Sequence, residues 1–408
     1  MRKADAFSLP AGSAILSAIL ILKRREVTCM NKKEILEIRR QFTPENCSIT
    51  RICGCYVDYE KEKKAQMSKT FLTLPEEEAF KYFDIFRHTL SGTFGKHLLS
   101  VDFPLESELS GEAYQLLCQL RTSRLEDEEL VHSFFDKVIE NYVFAENYYI
   151  TLIHAVYDVP GKSSDGSQMF DASDNVYEHI LCSICPVKLT KPGLTYNAET
   201  DLIEERIRDW FVEAPVGGFL FPAFSDRLCD MHHALYYTKK SEELQPVFIQ
   251  NVLGGNVPLS AMDQKTSFQA LVSDTLGDAC HYEAIRNIHE SIQEMLEESK
   301  DAPEPLELSR SDVKKLLAQE GASEESLRTF EEEFDQMAGE SRTLLASNIA
   351  GTKHFQVETS VVSVKVPADR SDLISVREID GRNCLVIPVE DYLEVNGMPA
   401  PVFKNSLE

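Results

Sequence analysis

The chain has 408 residues, 43% hydrophobic and 27% charged, and its 42 Lys and Arg against 67 Asp and Glu give a formal net charge of -25. A chain this long buries a sizeable core and is expected to divide into two or three domains. The carboxylate excess opposes binding to nucleic acid or to an anionic membrane surface, since both draw on Lys and Arg.

Residues 14–22 are an apolar run too short to span a bilayer, which takes roughly 20 apolar residues. Lys23-Arg24-Arg25-Glu26 follows it, where a signal peptide would carry small residues at its cleavage site. Residues 24–27 can be encoded by a purine-rich, ribosome-binding-like run, and Met30-Asn31-Lys32-Lys33-Glu34 reads as a start leading into a helix. Residues 1–29 are therefore expected to be an over-extension of the reading frame. They carry five basic and two acidic residues, so the body without them has a net charge of -28.

The body opens with a helix over 32–41 and a β-branched, aromatic strand over 49–57, followed by a polar loop or hairpin tip over 58–69. Pro75 and Glu76-Glu77-Glu78 start a helix that reaches residue 90, the acids lying where the helix dipole favours them. Helices are expected over 112–121 and 126–146, then central strands over 148–159 and 176–189 joined by a Gly/Ser/Asp-rich connection. A helix over 204–211 leads into a hairpin over 217–238, with its turn at 225–230. Two helices follow, around 241–252 and 260–276. This main α+β domain, residues 31–280, mixes helices with an antiparallel sheet.

Residues 281–340 hold 17 acidic and 6 basic residues. Apolar stripes at Ile285, Ile288, Ile292 and Leu296, at Val313, Leu316 and Leu317, and at Leu327, Phe330, Phe334 and Met337 predict three amphipathic helices. The last segment, 341–408, reads as β: two alternating runs change phase near Ser360, and Asp380-Gly381 and Asn396-Gly397 are two-residue hairpin turns.

Ten cysteines are too sparse for a disulfide scaffold, which points to free thiols and a cytoplasmic location. Cys53 and Cys55, with Cys182 and Cys185, invite a zinc reading, but strand geometry sends Cys182 and Cys185 to opposite faces, so buried strand cysteines are expected. Asp226, Asp230, His232 and His233 form the densest cluster of functional side chains and could serve a metal-dependent hydrolase. They match no ligand spacing, and the alternative is a hairpin loop with the two acids as turn residues. His154 sits on an apolar strand face, as a hydrogen-bonded core histidine would. Trp210 suits a helix anchored on the sheet better than a ligand platform. Ser91-Gly-Thr-Phe-Gly-Lys96 lacks the first glycine of a phosphate loop, and the loop from Asp165-Gly166 to Asp174 lacks the calcium register. The helix pair at 311–338 is too acidic to lie on DNA.

Five segments carry a resemblance: Asn31-Lys-Lys-Glu34, Ile49-Thr-Arg-Ile-Cys-Gly-Cys-Tyr-Val57, Leu181-Cys-Ser-Ile-Cys-Pro-Val-Lys-Leu189, Gly218-Phe-Leu-Phe-Pro-Ala-Phe224 and Leu235-Tyr-Tyr-Thr-Lys239. On them the chain resembles, from Met30 onward, an uncharacterised family of bacterial proteins typical of anaerobic Gram-positive lineages and described only as a domain of unknown function. That resemblance implies no activity, cofactor or catalytic residue. The expectation is a non-catalytic binding or regulatory protein that meets a protein partner through acidic residues 281–340; the alternative is the metal-dependent hydrolase.

Overall fold

A computed structural model describes residues 30–162, 168–169, 175–302, 304–337, 343–351, 354–389 and 392–400. The leader at 1–29 and the Asp165 to Asp174 loop lie outside the described residues. The chain divides into two compact units, Met1–Ser260 and Ala261–Glu408.

The first unit opens with helix α1 (Lys32–Arg39), which starts where Asn31 Oδ1 accepts from the amides of Lys33 and Glu34 while Glu34 returns a carboxylate to the Asn31 amide. This reciprocal cap satisfies amides that the first helical turn leaves without partners. Seven strands follow: β1 (Ile49–Val57), β2 (Lys63–Thr70), β3 (Leu98–Asp102), β4 (Tyr148–Val159), β5 (Asn175–Leu189), β6 (Gly217–Phe221) and β7 (His233–Thr238). In space they run β2-β1-β4-β5-β6-β7-β3, every neighbour antiparallel, with Trp210–Val212 adding to the outer end of β5.

Both faces of this sheet are covered. Helices α3 (Glu112–Thr122) and α4 (Glu128–Asn141) bury Leu117, Leu120, Phe134 and Val138 against Ile150, Leu152, Cys182 and Phe219. On the other face α1 and α2 (Glu76–Thr89) bury Ile35, Ile38, Phe83 and Phe86 against Ile52, Ile153, Leu181 and Leu220. Two buried faces explain why β4 and β5 are almost continuously apolar instead of alternating.

The second unit packs α5 (Ala261–Leu276), α6 (Tyr282–Glu298), α7 (Arg310–Gln319) and α8 (Glu324–Met337) around Phe268, Leu271, Ile288, Ile292, Leu317, Phe330 and Phe334. Three two-stranded hairpins complete it: His354–Glu358 with Ser363–Pro367, Ser375–Ile379 with Arg382–Val386, and Leu393–Val395 with Met398–Ala400. Asp380-Gly381 and Asn396-Gly397 make the last two turns, all four residues at positive φ as that turn type requires.

Four local expectations change. The 58–69 segment is a turn only to residue 62 and then becomes β2. Residues 204–211 are not a helix: Leu202–Glu205 and Trp210–Val212 are strands, because pairing with Leu194–Asn197 and with β5 overrides the helical propensity of Glu204-Glu205-Arg206. In 241–252 regular helix begins only at Pro246. The break expected at residue 280 falls at Ser260, since α5 buries Phe268, Leu271 and Val272 in the core that it shares with the acidic helices.

Candidate functional site

Between β6 and β7 a small hairpin, Ala223–Ser225 with Leu228–Asp230, turns at Asp226 and Arg227, both at positive φ. Arg227 anchors the turn to α1: its Nη2 donates to Glu37 Oε1 at 2.8 Å and its amide to Glu34 Oε1 at 3.3 Å, while the Tyr157 hydroxyl donates to Glu37 at 2.9 Å. Burial pushes the Glu34 carboxyl up, against the backbone amides that hydrogen-bond it. Asp226 is a turn residue near Glu34.

The rest of the segment separates. Asp230, buried, takes His233 Nδ1–H on Oδ2 at 2.7 Å and the His232 amide on Oδ1 at 3.0 Å. Burial alone would raise its pKa, but the hydrogen bonds from His233, the His232 amide and Ser225 outweigh this and hold it below the usual value. The His232 ring turns to Glu108, with Nδ1 2.9 Å from Oε1. Glu108 lies on the short helix Leu105–Ser110, 124 residues away in sequence, and no local pattern announces it. A metal-dependent hydrolase on this segment needs both imidazoles and both acids aimed at one point. The structure brings Asp230 and His233 together, gives His232 a separate partner, and leaves Asp226 at the turn.

The four cysteines of the zinc reading are all fully buried. Strand β4 lies between the strands that carry them: Leu152 pairs with Cys53 on one side and Cys182 on the other, while Cys185 pairs with Tyr149. Burial raises every one of these thiols, Cys55 to about 11, so they pack as protonated apolar groups. Among the described residues, the group of three His, Cys, Asp or Glu side chains with ligand atoms within 4.8 Å of one another is Asp58, Glu60 and Glu62. Asp58 there is occupied by the Glu60 and Glu62 amides and by Lys64 Nζ at 2.9 Å.

His154 is a core histidine: Nε2 lies 3.0 Å from Glu178 Oε1 and Nδ1 2.6 Å from Thr50 Oγ1, which suits a neutral ring donating at Nε2 and accepting at Nδ1. His179, on the neighbouring strand, is fully buried and stacked on Tyr177 at 4.5 Å between ring centroids, and burial drives its pKa down to about 3. Trp210 does not anchor a helix; it is 57% exposed on the strand paired to β5.

In the second unit five of the six cations of residues 281–340 are spent internally. Arg286 pairs with Glu290, Lys300 with Glu297, Arg310 with Asp335, Lys314 with Glu331 and, at 4.0 Å, Lys315 with Asp312. Glu294, Glu298, Glu324, Glu325, Glu332 and Glu333 stay exposed. Glu294 and Glu298 line a shallow cleft of about 300 Å³ with Met295, Leu316 and Lys315.

The class defined by this geometry is an α+β protein with one antiparallel sheet between two helical layers, followed by an acidic helical unit. The chain belongs to the DUF4317 family, a domain of unknown function, whose model matches residues 30–398. The match takes in all five segments, Asn31 to Lys239, that carry the resemblance to an uncharacterised domain family. No curated protein matches the chain. Among the described residues, no helix is long and apolar enough to cross a membrane.

Proposed function

We propose that the chain is a non-catalytic binding or regulatory protein of the cytoplasm whose acidic helices, residues 281–340, dock a basic protein surface. The observation that carries this reading is the imbalance on those helices: five of six cations already sit beside carboxylates, while six glutamates on α6 and α8 remain exposed. Such a field steers a cationic partner and rejects phosphate backbones. The apolar stripes of the same helices are consumed by the core around Phe330 and Phe334, so charge, not hydrophobic area, is what this surface offers. Nine free cysteines among the described residues support a reducing compartment.

Zero-length carboxyl-to-amine crosslinking in native cell extract tests the reading. Crosslinks from Glu324, Glu325, Glu332 or Glu333 to lysines of a basic protein are expected. Crosslinks to partners that fall only in the first unit would contradict it.

A further inference from the structure

The cleft of about 300 Å³ in the second unit runs between α6 and α7. Ser291, Glu294, Met295 and Glu298 form one wall, and the α7 residues from Asp312 to Gln319 that form the other repeat the same i, i+3, i+4, i+7 spacing of a single helix face. Seven residues of helix rise about 10 Å, so the cleft is long enough for one extended side chain and too small for a helix, which is about 10 Å across.

The floor of the cleft is apolar. Leu316 is buried and Met295 half-buried, both packed on the core that holds Ile292 and Leu317. The rim is acidic, and its carboxylates differ in what they already hold. Asp312 is engaged: its Oδ2 accepts from the Ser309 amide and hydroxyl, and its Oδ1 lies 4.0 Å from Lys315 Nζ. Glu297, next to the cleft on α6, takes Lys300 at 3.1 Å. Glu294 and Glu298 are exposed and, among the described residues, form no ion pair. Four residues apart on one helix, they repel each other.

Two unneutralised carboxylates over an apolar floor define the guest. A metal ion would need further oxygen ligands and would leave the floor bare. An apolar side chain would leave the carboxylates in mutual repulsion. A lysine side chain answers both features, laying its methylenes on Met295 and Leu316 and setting an ammonium with three donors between Glu294 and Glu298. The planar fork of arginine suits one carboxylate held at two points better than two carboxylates at separate positions.

We propose that the cleft between α6 and α7 is a lysine-reading site, in which one lysine of the basic protein partner is seated on Met295 and Leu316 and held by Glu294 and Glu298. The site rests on the docking proposed for these helices and adds to it one position where the length of the partner's side chain counts, and not its charge alone.

Calorimetric titration of the full chain at low salt with hexalysine and with hexaornithine tests it. The two peptides carry the same charge and differ by one methylene per side chain. Wild type is expected to bind hexalysine about fourfold more tightly, as burial of one further methylene gives. Glu294→Gln with Glu298→Gln should weaken hexalysine binding about tenfold and remove the preference, whereas Glu324→Gln with Glu325→Gln should weaken both peptides alike. All four positions are exposed on helices and the changes are nearly isosteric, so the fold survives them, and circular dichroism verifies this. A wild type that binds the two peptides equally, or a Glu294→Gln, Glu298→Gln chain that keeps the preference, would overturn the lysine site and leave docking on the acidic helices standing. A wild type that binds neither peptide would overturn both.

Discussion

His233 and Asp230 are three residues apart and closed by a 2.7 Å hydrogen bond, and the same carboxylate caps the His232 amide at 3.0 Å. One buried acid therefore fixes the path by which the chain leaves the small hairpin and enters β7. Asp230→Ala leaves a half-buried imidazole donor and an amide without partners, and should cost about 1–3 kcal/mol in urea unfolding. Because the folded-state pKa of Asp230 is depressed, its contribution is present above the ordinary carboxylate value of 3.8 and is lost as pH falls through the depressed one. A variant as stable as wild type at pH 7 would show that the pair contributes nothing.

His179 adds an acid sensitivity of the same sign at higher pH, where a buried imidazole and not a carboxylate takes up the proton on unfolding. It titrates near 6.5 when unfolded and near 3 when folded, so between those values the unfolded chain binds the extra proton and stability falls as pH falls. The full effect is on the order of a few kcal/mol. His179→Phe keeps the stacking on Tyr177 and should flatten the stability profile from pH 6.5 downward. His154 and His289, also lowered by burial, leave a residual slope. An unchanged slope in the variant would place the acid sensitivity elsewhere.

Much of the first unit was legible because its periodicities are strong. The strands over 148–159 and 176–189 and the helix over 112–121 appear within a residue of their expected ends. Residues 204–211 read as helix because Glu204-Glu205-Arg206-Ile207-Arg208 favours helix in isolation, and only the cross-strand partners, Leu194 to Asn197, decide otherwise. The candidate site was legible as residue types and not as geometry. Glu108, Glu37 and Glu178, which take up His232, Arg227 and His154, come from other elements, and nothing near the histidines or the arginine encodes those contacts. The composition of α5 is ordinary and does not separate it from the first unit; what assigns it is the face it buries, where Phe268 and Leu271 join Phe330 and Phe334.

Gly218 sits where β6 crosses closest to its neighbours. A Cβ there would lie 2.3 Å from the Cys182 carbonyl oxygen and 2.8 Å from Thr89 Cγ2, and the carbonyl belongs to a central strand that cannot yield. Gly218→Ala should cost about 3 kcal/mol. Gly193→Ala, with nothing within 4 Å of the added carbon, is the control and should be close to neutral. Equal stability of the two variants would contradict the close approach.

Cys53, Cys55, Cys182 and Cys185 should resist alkylation in the native protein and react together on unfolding, since burial keeps all four both covered and protonated. Mass spectrometry of briefly alkylated protein reads this directly. Labelling that appears in the folded state only after a chelator is added would instead mean that a metal holds them.

The proposed docking depends on the exposed carboxylates of α6 and α8. Its most direct test compares full-length wild type with a chain carrying Glu324→Lys, Glu325→Lys, Glu332→Lys and Glu333→Lys as baits in native extract, at low and at high salt. A basic protein is expected to be retained by wild type at low salt, released as added salt screens the charges, and absent from the reversed bait. Retention of the same partner by both baits, unaffected by salt, would contradict it.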